Sequence, residues 1–247
     1  MTPTLPRVNR VLVTGATGFT GQQVVRLLCQ QDGVEVIAHV RPGSKSLDTW
    51  RETFEQWGAS VDTTPWDVDT LTRTISQREP DVVLYLIGTT KKRMKQLIKG
   101  GADPSAVGYE AIDYGLAHCL LQSILASTIP TPPKFVYLSA MGVGPASVGE
   151  YMRVRWRFEE ELRQSGVPYV IARPGLITGQ REQKRPVEHL AGQASGVVLG
   201  ALGKLGAKKI AKRYRPTDDK ELADALVRAS LDTSLIATTL ESEDLKP

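Results

Sequence analysis

The stretch Val13–Gly21, "VTGATGFTG", decides the fold. Its glycines, Gly15, Gly18 and Gly21, have the spacing G-x-x-G-x-x-G and stand between a β-branched run and a helical one. In this context the first glycine permits a tight turn, the second lets backbone N–H groups approach a pyrophosphate, and the third lets the helix pack closely on a sheet. A helix that starts near Phe19 points its positive end at such a ligand. The stretch therefore predicts a turn that holds the phosphates of a dinucleotide.

The rest of the chain repeats this alternation of apolar runs and amphipathic helical stretches. Continuous apolar runs are typical of parallel strands that are covered on both faces. The fold class that we predict is α/β, a doubly wound parallel sheet (a Rossmann fold) in a single domain over residues 1–247. The runs are "RVLVTG" (10–15), "VEVIAHV" (34–40), "DVVLYLIG" (81–88), "KFVYLSA" (134–140) and "PYVIARPG" (168–175).

After Gly175 the pattern loosens. A polar loop, "ITGQREQKRP", leads into a helical stretch interrupted by glycines, and "TDDKELADALVRASLD" then reads as a capped amphipathic helix. We predict that about residues 176–230 form a small helical lid over the carboxyl edge of the sheet. The final residues, "TTLESEDLKP", are expected to fray or to form a short strand.

The composition favours a globular protein of moderate charge. Hydrophobic residues make up 41% of the 247 residues and the formal net charge is only +4, which excludes a disordered chain and does not indicate nucleic acid. We see no apolar run of about 18 residues and no leader at the N-terminus, so we expect no membrane span and a cytoplasmic location. Cys29 and Cys119 lie in helical runs and are expected to be reduced, buried thiols.

The end of the second predicted strand bears on which dinucleotide binds. An acidic side chain at this position holds a ribose 2′-hydroxyl, whereas an arginine accommodates a 2′-phosphate. The sequence "VIAHVRPGSK" has Arg41 and Lys45 here and no acidic residue, which predicts NADP(H), although Arg41 could be a solvated surface charge. Asp67 follows the third strand and could accept a hydrogen bond from adenine or could cap a helix.

These motifs together resemble an atypical short-chain dehydrogenase/reductase. The resemblance rests on "TGATGFTG", "DVVLYLIGTT", "FVYLSAMG", "YMRVR" and "ARPGLITG", in that order between Val11 and Gly179. The chain is most similar to the Tat-interacting protein group, which shares the Arg-Pro-Gly strand end and a later Arg-Pro pair, here Arg185 and Pro186. The resemblance implies that cofactor is bound by Thr14, Gly15, Thr17, Gly18, Phe19, Thr20, Gly21, Arg41, Asp67, Val68, Ile87, Gly88, Thr89, Arg155, Pro174 and Gly175.

The resemblance also implies a catalytic group, with two departures from the family pattern. Tyr151 and Arg155 have the four-residue spacing of the family's tyrosine and lysine, which places both on one helix face, but arginine replaces lysine. Ser139 is followed by Ala140 where the family has a second serine. The implied roles are proton donor for Tyr151, electrostatic partner for Arg155 and substrate orienter for Ser139. The alternatives are a lid-packing aromatic for Tyr151 and a local backbone hydrogen bond for Ser139.

Two functions follow from these residues. One is an NADPH-dependent reductase of a small carbonyl or enone compound, and the alternative is a non-catalytic NADPH sensor or regulatory interaction protein. The basic segment 89–101 either attracts anionic ligands or is a solvated mobile loop. His118 and His189 have no partner at metal-ligand spacing, so no metal is predicted. The long helix expected over 106–127 is where extended relatives dimerise, which is consistent with a homodimer.

Overall fold

A seven-stranded parallel sheet organises the protein. The computed structural model describes residues 9–178 and 217–246. Neighbouring strands follow the order β3-β2-β1-β4-β5-β6-β9, and every pair in the sheet is parallel, which confirms the predicted doubly wound fold. A second sheet pairs β7 with β8. The strands are β1 (Asn9–Thr14), β2 (Val34–His39), β3 (Ser60–Asp62), β4 (Val82–Tyr85), β5 (Lys134–Leu138), β6 (Tyr169–Arg173), β7 (Ile177–Thr178), β8 (Thr217–Asp218) and β9 (Thr238–Glu241).

Helices cover both faces of the sheet. One core cluster joins α1, α2 and α8 to the sheet, and the other joins α3, α6 and α7 to the opposite face. This arrangement explains why the predicted strands read as continuous apolar runs. The helices are α1 (Phe19–Leu28), α2 (Leu47–Gln56), α3 (Val68–Arg78), α4 (Lys91–Lys99), α5 (Pro104–Val107), a π-helical turn (Glu110–Gly115), α6 (Leu116–Ala126), α7 (Glu150–Gln164) and α8 (Asp219–Leu231).

The order of the strands reverses at β1. This strand pairs with β2 on one side and with β4 on the other, so the chain leaves β1 in one direction and returns to build the sheet in the other. In open α/β sheets a crevice forms at such a point, outside the carboxyl ends of the strands. The turn after β1 therefore opens into this crevice.

The helix α8 belongs to the body of the fold. It lies within the range predicted for a lid, yet it packs against α1, and Leu222 and Leu226 are fully buried in the first core cluster. Its N-cap is as predicted, with Asp218 accepting a hydrogen bond from the backbone N–H of Lys220. The rest of the predicted lid, 179–216, lies outside the described residues.

The basic segment 89–101 forms a helix, so the alternative of a mobile loop is wrong. Thr90 caps α4 by accepting a hydrogen bond from the backbone N–H of Arg93, and the helix ends at Gly100. Lysine, arginine, glutamine and leucine all favour helices, and the density of charge obscured this preference. In the described ranges, no helix is long and apolar enough to cross a membrane.

Gly21 allows α1 to lie against the turn that precedes it. A Cβ atom at this position would come within 2.2 Å of the carbonyl oxygen of Gly15 and 2.9 Å of the Cα atom of Ala16. Both neighbours are backbone, so they cannot move without displacing the helix or the turn.

We predict that Gly21→Ala lowers the free energy of unfolding by about 1–3 kcal/mol or more, because overpacked backbone must shift. Gly43→Ala is the matched control, since a Cβ atom there meets nothing within 4 Å, and it should change stability by less than about 0.5 kcal/mol. Thermal or denaturant unfolding of the two variants measures the difference. Equal stability of both variants would show that α1 does not need this close approach.

Candidate functional site

The turn after β1 has the geometry of a phosphate cradle. Gly15 has a φ of +76°, and a Cβ atom on it would lie 2.8 Å from the carbonyl carbon of Leu86, so glycine is required on both grounds. The N–H of Gly18 donates to the carbonyl oxygen of Gly15 at 2.9 Å and closes the turn. The helix α1 begins at Phe19, as predicted, with no side-chain cap and no acidic residue in its first turn.

The remaining predicted residues of the turn support this geometry. The Thr14 hydroxyl donates to the carbonyl oxygen of Leu84 at 3.0 Å, which fixes the end of β1 to β4. The Thr17 carbonyl accepts a hydrogen bond from the Gln22 side chain, and Thr20 is buried in the first turn of α1. An open, positively polarised helix end with glycine on its approach suits an anionic ligand, so these residues fit a dinucleotide pyrophosphate.

The segment after β4 connects this turn to the predicted catalytic residues. The backbone of Leu86 and Ile87 lies under Gly15, and a Cβ atom on Gly88 would lie 2.8 Å from an Nη atom of Arg155. Three consecutive residues span at most about 11 Å. The phosphate turn and the Arg155 guanidinium therefore lie on the same short segment at the carboxyl edge.

Arg155 is clamped in a buried ion pair. Its Nη2 donates to Oδ1 of Asp113 at 2.6 Å, and its Nη1 donates to the carbonyl oxygen of Leu138 at 2.7 Å. The second carboxylate oxygen of Asp113 accepts the backbone N–H of Thr89 at 3.1 Å. Both charged side chains are almost completely buried, with exposed fractions of 7% and 0%. The pair thus ties α7 to the π-helical turn and to the ends of β4 and β5.

Burial and neighbouring charges shift the pKa values of Asp113 and Arg155 in opposite directions. Burial raises the pKa of the Asp113 carboxyl, and the Arg155 guanidinium opposes that shift. Burial alone would lower the pKa of Arg155, but Tyr137, Tyr151 and Asp113 together raise it above its ordinary value. Arg155 is therefore a permanent cation in the middle of the site.

Tyr151 lies directly beside this cation. The guanidinium carbon of Arg155 is 4.7 Å from the centre of the Tyr151 ring, and the ring of Tyr109 packs against Tyr151 at 5.1 Å. A cation over an aromatic face is attracted by the ring quadrupole. Tyr151 is only partly buried, so it is held in position while part of the side chain stays accessible.

Ser139 points toward a different carboxylate. Its hydroxyl donates to Oε1 of Glu159 at 2.6 Å, and Glu159 is completely buried. Arg163 and Arg173 also bind Glu159, and Arg173 reaches on to Glu241 of β9 at 2.9 Å. The hydroxyl proton of Ser139 is thus used within the protein, by a side chain rather than by the local backbone that we had considered.

The predicted adenosine-binding residues lie around the ends of β2 and β3. Arg41 and Lys45 are exposed, and the Arg41 carbonyl accepts the N–H of Ser44 in a turn. Asp67 caps α3 by accepting the N–H of Thr70 at 2.8 Å, and this hydrogen bond lowers the pKa of the Asp67 carboxyl. Val68 follows as the first, partly exposed residue of the helix.

Pro174 and Gly175 complete the predicted set at the end of β6. The Pro174 carbonyl accepts the backbone N–H of Met141 at 2.9 Å, which joins the end of β6 to the loop after β5. The structure therefore places the predicted residues at the carboxyl edge, in three groups that lie in the turn after β1, around the ends of β2 and β3, and around the ends of β4 to β6.

Sequence reasoning missed Asp113 and Glu159. One signal was available for Glu159, because Tyr151, Arg155 and Glu159 are spaced by four residues and so share one face of α7. Asp113 stands in the apolar run "EAIDYGLAHCLL", and its partner Arg155 is 42 residues away. Nothing local to Asp113 indicates that partner.

The histidines and cysteines have other environments. His118 lies 2.6 Å from Glu161 through Nδ1. Cys29 and Cys119 are free thiols, and they are half-buried where we expected buried side chains. Over the ranges 9–178 and 217–246, no group of three or more His, Cys, Asp or Glu side chains could hold a metal ion. His189 and the pair Arg185 and Pro186 lie outside the described residues.

We predict that Asp113→Asn lowers the free energy of unfolding by about 3–5 kcal/mol, because it leaves the buried Arg155 charge uncompensated while keeping the shape of the side chain. Glu110→Gln is the matched control on the same π-helical turn. Glu110 pairs with Arg157 in an exposed ion pair, whose loss should cost about 1 kcal/mol or less. Denaturant unfolding compares the two variants, and a similar small loss in both would show that the Asp113–Arg155 pair does not hold the site together.

Comparison with known proteins supports the cofactor class. The sequence profile of the NAD(P)H-binding family matches residues 15–198 of this chain. "Protein fmp52, mitochondrial" from Aspergillus fumigatus is 28% identical over 204 residues, covering 79% of this chain and 76% of that protein. The Aspergillus clavatus protein of the same name is 27% identical over 237 residues, covering 92% and 87%.

These relatives correct one prediction. We expected a cytoplasmic location, but the relatives are named mitochondrial proteins, so the comparison points to mitochondria and the prediction is wrong. Its basis was the first residues of the chain, which carry too little information to decide the compartment.

Solved structures show the same fold. A putative NAD-dependent epimerase/dehydratase from Bacillus halodurans superposes with a TM-score of 0.62 at 17% identity, covering 96% of this chain and 98% of that one. The NADPH-dependent quinone oxidoreductase from Escherichia coli, complexed with NADPH, has a TM-score of 0.59 at 14% identity, covering 94% and 68%. From its turn, its sheet and the matching family profile, this chain belongs to the NAD(P)H-binding family, as an atypical short-chain dehydrogenase/reductase.

Proposed function

We propose that this protein is an NADP(H)-dependent reductase of a small carbonyl or enone compound. The observation that carries the proposal is the placement of Tyr151, which is partly accessible and lies against a buried cation 4.7 Å from its ring. That cation contacts Gly88, one residue beyond the segment that supports the phosphate turn. A phenol and a dinucleotide turn therefore meet at one edge of the sheet.

Each residue has a separate part in the proposed reaction. A dinucleotide held by the turn from Gly15 to Gly21 would supply hydride from its reduced nicotinamide to the substrate carbon. Tyr151 donates its phenolic proton to the substrate oxygen, and the fixed charge of Arg155 stabilises the negative charge that this transfer leaves on the phenol. Asp113 keeps Arg155 in place, and the ring of Tyr109 packs against the ring of Tyr151.

The preference for NADP(H) is supported by the end of β2. Arg41 is exposed there, and its side chain makes no ion pair within residues 9–178 and 217–246. Lys45 is close in sequence, and "HVRPGSK" contains no acidic residue that could hold a free 2′-hydroxyl. A 2′-phosphate is the ligand group that two free cations at this strand end would bind.

A second candidate function is a non-catalytic NADPH sensor or regulatory protein. It is favoured by the hydrogen bonds of two predicted catalytic residues, since Ser139 donates to Glu159 and Arg155 uses its two Nη groups on Asp113 and Leu138. The hydroxyl proton of Ser139 and one N–H of each Arg155 Nη group are therefore already used within the protein. In this alternative the protein binds NADPH without oxidising it.

We predict that Arg41→Ala weakens NADPH binding by about tenfold or more, because a charge-assisted contact to the 2′-phosphate is lost. NADH binding should not change. Fluorescence titration with both dinucleotides measures these affinities, and Arg51→Ala, which removes an exposed arginine from α2, is the control for charge. Equal losses for NADPH and NADH, or unchanged NADPH binding, would contradict the assignment of Arg41.

We predict that Tyr151→Phe lowers turnover of an aldehyde, ketone and enone panel by about 10²–10⁴-fold while NADPH binding is kept, because only the proton donor is removed. The rate of NADPH oxidation and a parallel binding titration separate the two effects. Tyr169→Phe, at the opposite end of the sheet, is the matched control. Full activity of Tyr151→Phe would overturn the catalytic role, and tight NADPH binding without turnover by the unaltered protein would favour the sensor.

A further inference from the structure

Positive charge is concentrated on α4. Five of its nine residues are basic and none is acidic, as the sequence "KKRMKQLIK" shows. The chain as a whole carries a net charge of +4, so the residues outside α4 sum to −1. One short helix therefore accounts for the basic character of the protein.

Four of these five charges have no acidic partner in the part of the chain that the structure describes. Lys91, Arg93, Lys95 and Lys99 make no ion pair within the two ranges that the structure describes, and all four are exposed. Lys91, Lys95 and Lys99 follow one another at four-residue spacing, where like charges repel and destabilise a helix. An anionic surface placed against α4 would relieve this repulsion.

The helix also exposes apolar side chains. Met94, Leu97 and Ile98 are spaced as neighbours on one helix face, and Leu97 and Ile98 keep 37% and 42% of their surface exposed. A small anion or a nucleic-acid backbone would make no apolar contact with the exposed leucine and isoleucine. A helix with lysine and arginine beside an apolar stripe is typical of segments that lie in the interface of a membrane.

We propose that α4 docks this protein on the surface of a bilayer that contains anionic lipids. The basic side chains contact lipid headgroups, and Leu97 and Ile98 enter the boundary between headgroups and acyl chains. The absence of a long apolar run, from which we expected no membrane span, concerns crossing a bilayer and does not bear on surface binding.

Docking through α4 would orient the whole protein. The helix starts immediately after Thr89 and Thr90, at the carboxyl edge where β4 ends. This edge, with the phosphate turn and Tyr151, would then lie close to the bilayer surface. The docking itself does not depend on which dinucleotide binds or on whether the protein turns over a substrate.

Vesicle cosedimentation of the full chain tests the proposal. The protein should bind phosphatidylcholine vesicles that contain phosphatidylserine, should bind pure phosphatidylcholine much more weakly, and should be released by salt. Lys95→Gln/Lys99→Gln should lower the partition coefficient about 25-fold, from about fivefold for each charge removed. Leu97→Gln/Ile98→Gln should also lower it by about tenfold or more, because the apolar anchor is lost.

The control removes the same charge elsewhere. Arg26→Gln/Arg51→Gln takes two exposed arginines from α1 and α2, and it should leave vesicle binding nearly unchanged. All substitutions are at exposed helix positions, and circular dichroism verifies that the variants stay folded. The proposal is overturned if the unaltered protein does not bind anionic vesicles, or if the α4 variants bind them as strongly as this control does. Release by inorganic phosphate at matched ionic strength, or binding to duplex DNA in preference to vesicles, would also overturn it.

Discussion

The ion pair between Asp113 and Arg155 is the contact on which the rest of the site depends. It joins three elements that are far apart in sequence, namely α7, the π-helical turn and the segment after β4. Two buried charges cost free energy to desolvate, and they are tolerated only when their hydrogen bonds are nearly all satisfied. Asp113 achieves this by accepting the Thr89 N–H as well as the guanidinium. Glycine at position 88 is what allows the pair to approach the backbone so closely.

A second buried cluster anchors the same helix one turn further along. Glu159 binds Ser139, Arg163 and Arg173, and so connects α7 to the ends of β5 and β6. Tyr151, Arg155 and Glu159 lie four residues apart, so a single helix face carries the half-buried Tyr151 and both anchors. With charged contacts at two successive turns, rotation of α7 about its axis would break both clusters. The orientation of Tyr151 therefore depends on the buried ion pairs of the next two turns of α7 as well as on the packing around its ring.

The sequence predicts those parts of the structure that are determined by residues close together in the chain. The glycine turn, most of the strands and the capped helix α8 follow from spacing and from residue type over a few positions, and the cap at Asp67 is one of the two roles expected for that residue. The three-residue β3 is too short to give an apolar run, and it was expected only as the strand that precedes Asp67. Asp113 and Glu159 could not be assigned in the same way, because their partners come from up to 42 residues away and only the fold brings them together. The helix α4 was not predicted, because a run of lysines indicates exposure to solvent and says little about backbone conformation.

The replacement of lysine by arginine at position 155 changes what the cation can do. A lysine ammonium on a flexible stem can turn between a ribose hydroxyl and a phenol, whereas the planar guanidinium has fixed donor directions. In this structure each Nη group donates one hydrogen bond within the protein, and among the described residues the buried Nε has no hydrogen-bond partner. The guanidinium carbon is held 4.7 Å from the centre of the Tyr151 ring. Such a charge stabilises a phenolate without moving, which suits a proton donor. It does not replace the hydrogen bond to the substrate expected from Ser139, because the Ser139 hydroxyl donates to Glu159 instead. The choice between reductase and sensor therefore turns on whether another donor reaches the substrate oxygen beside Tyr151.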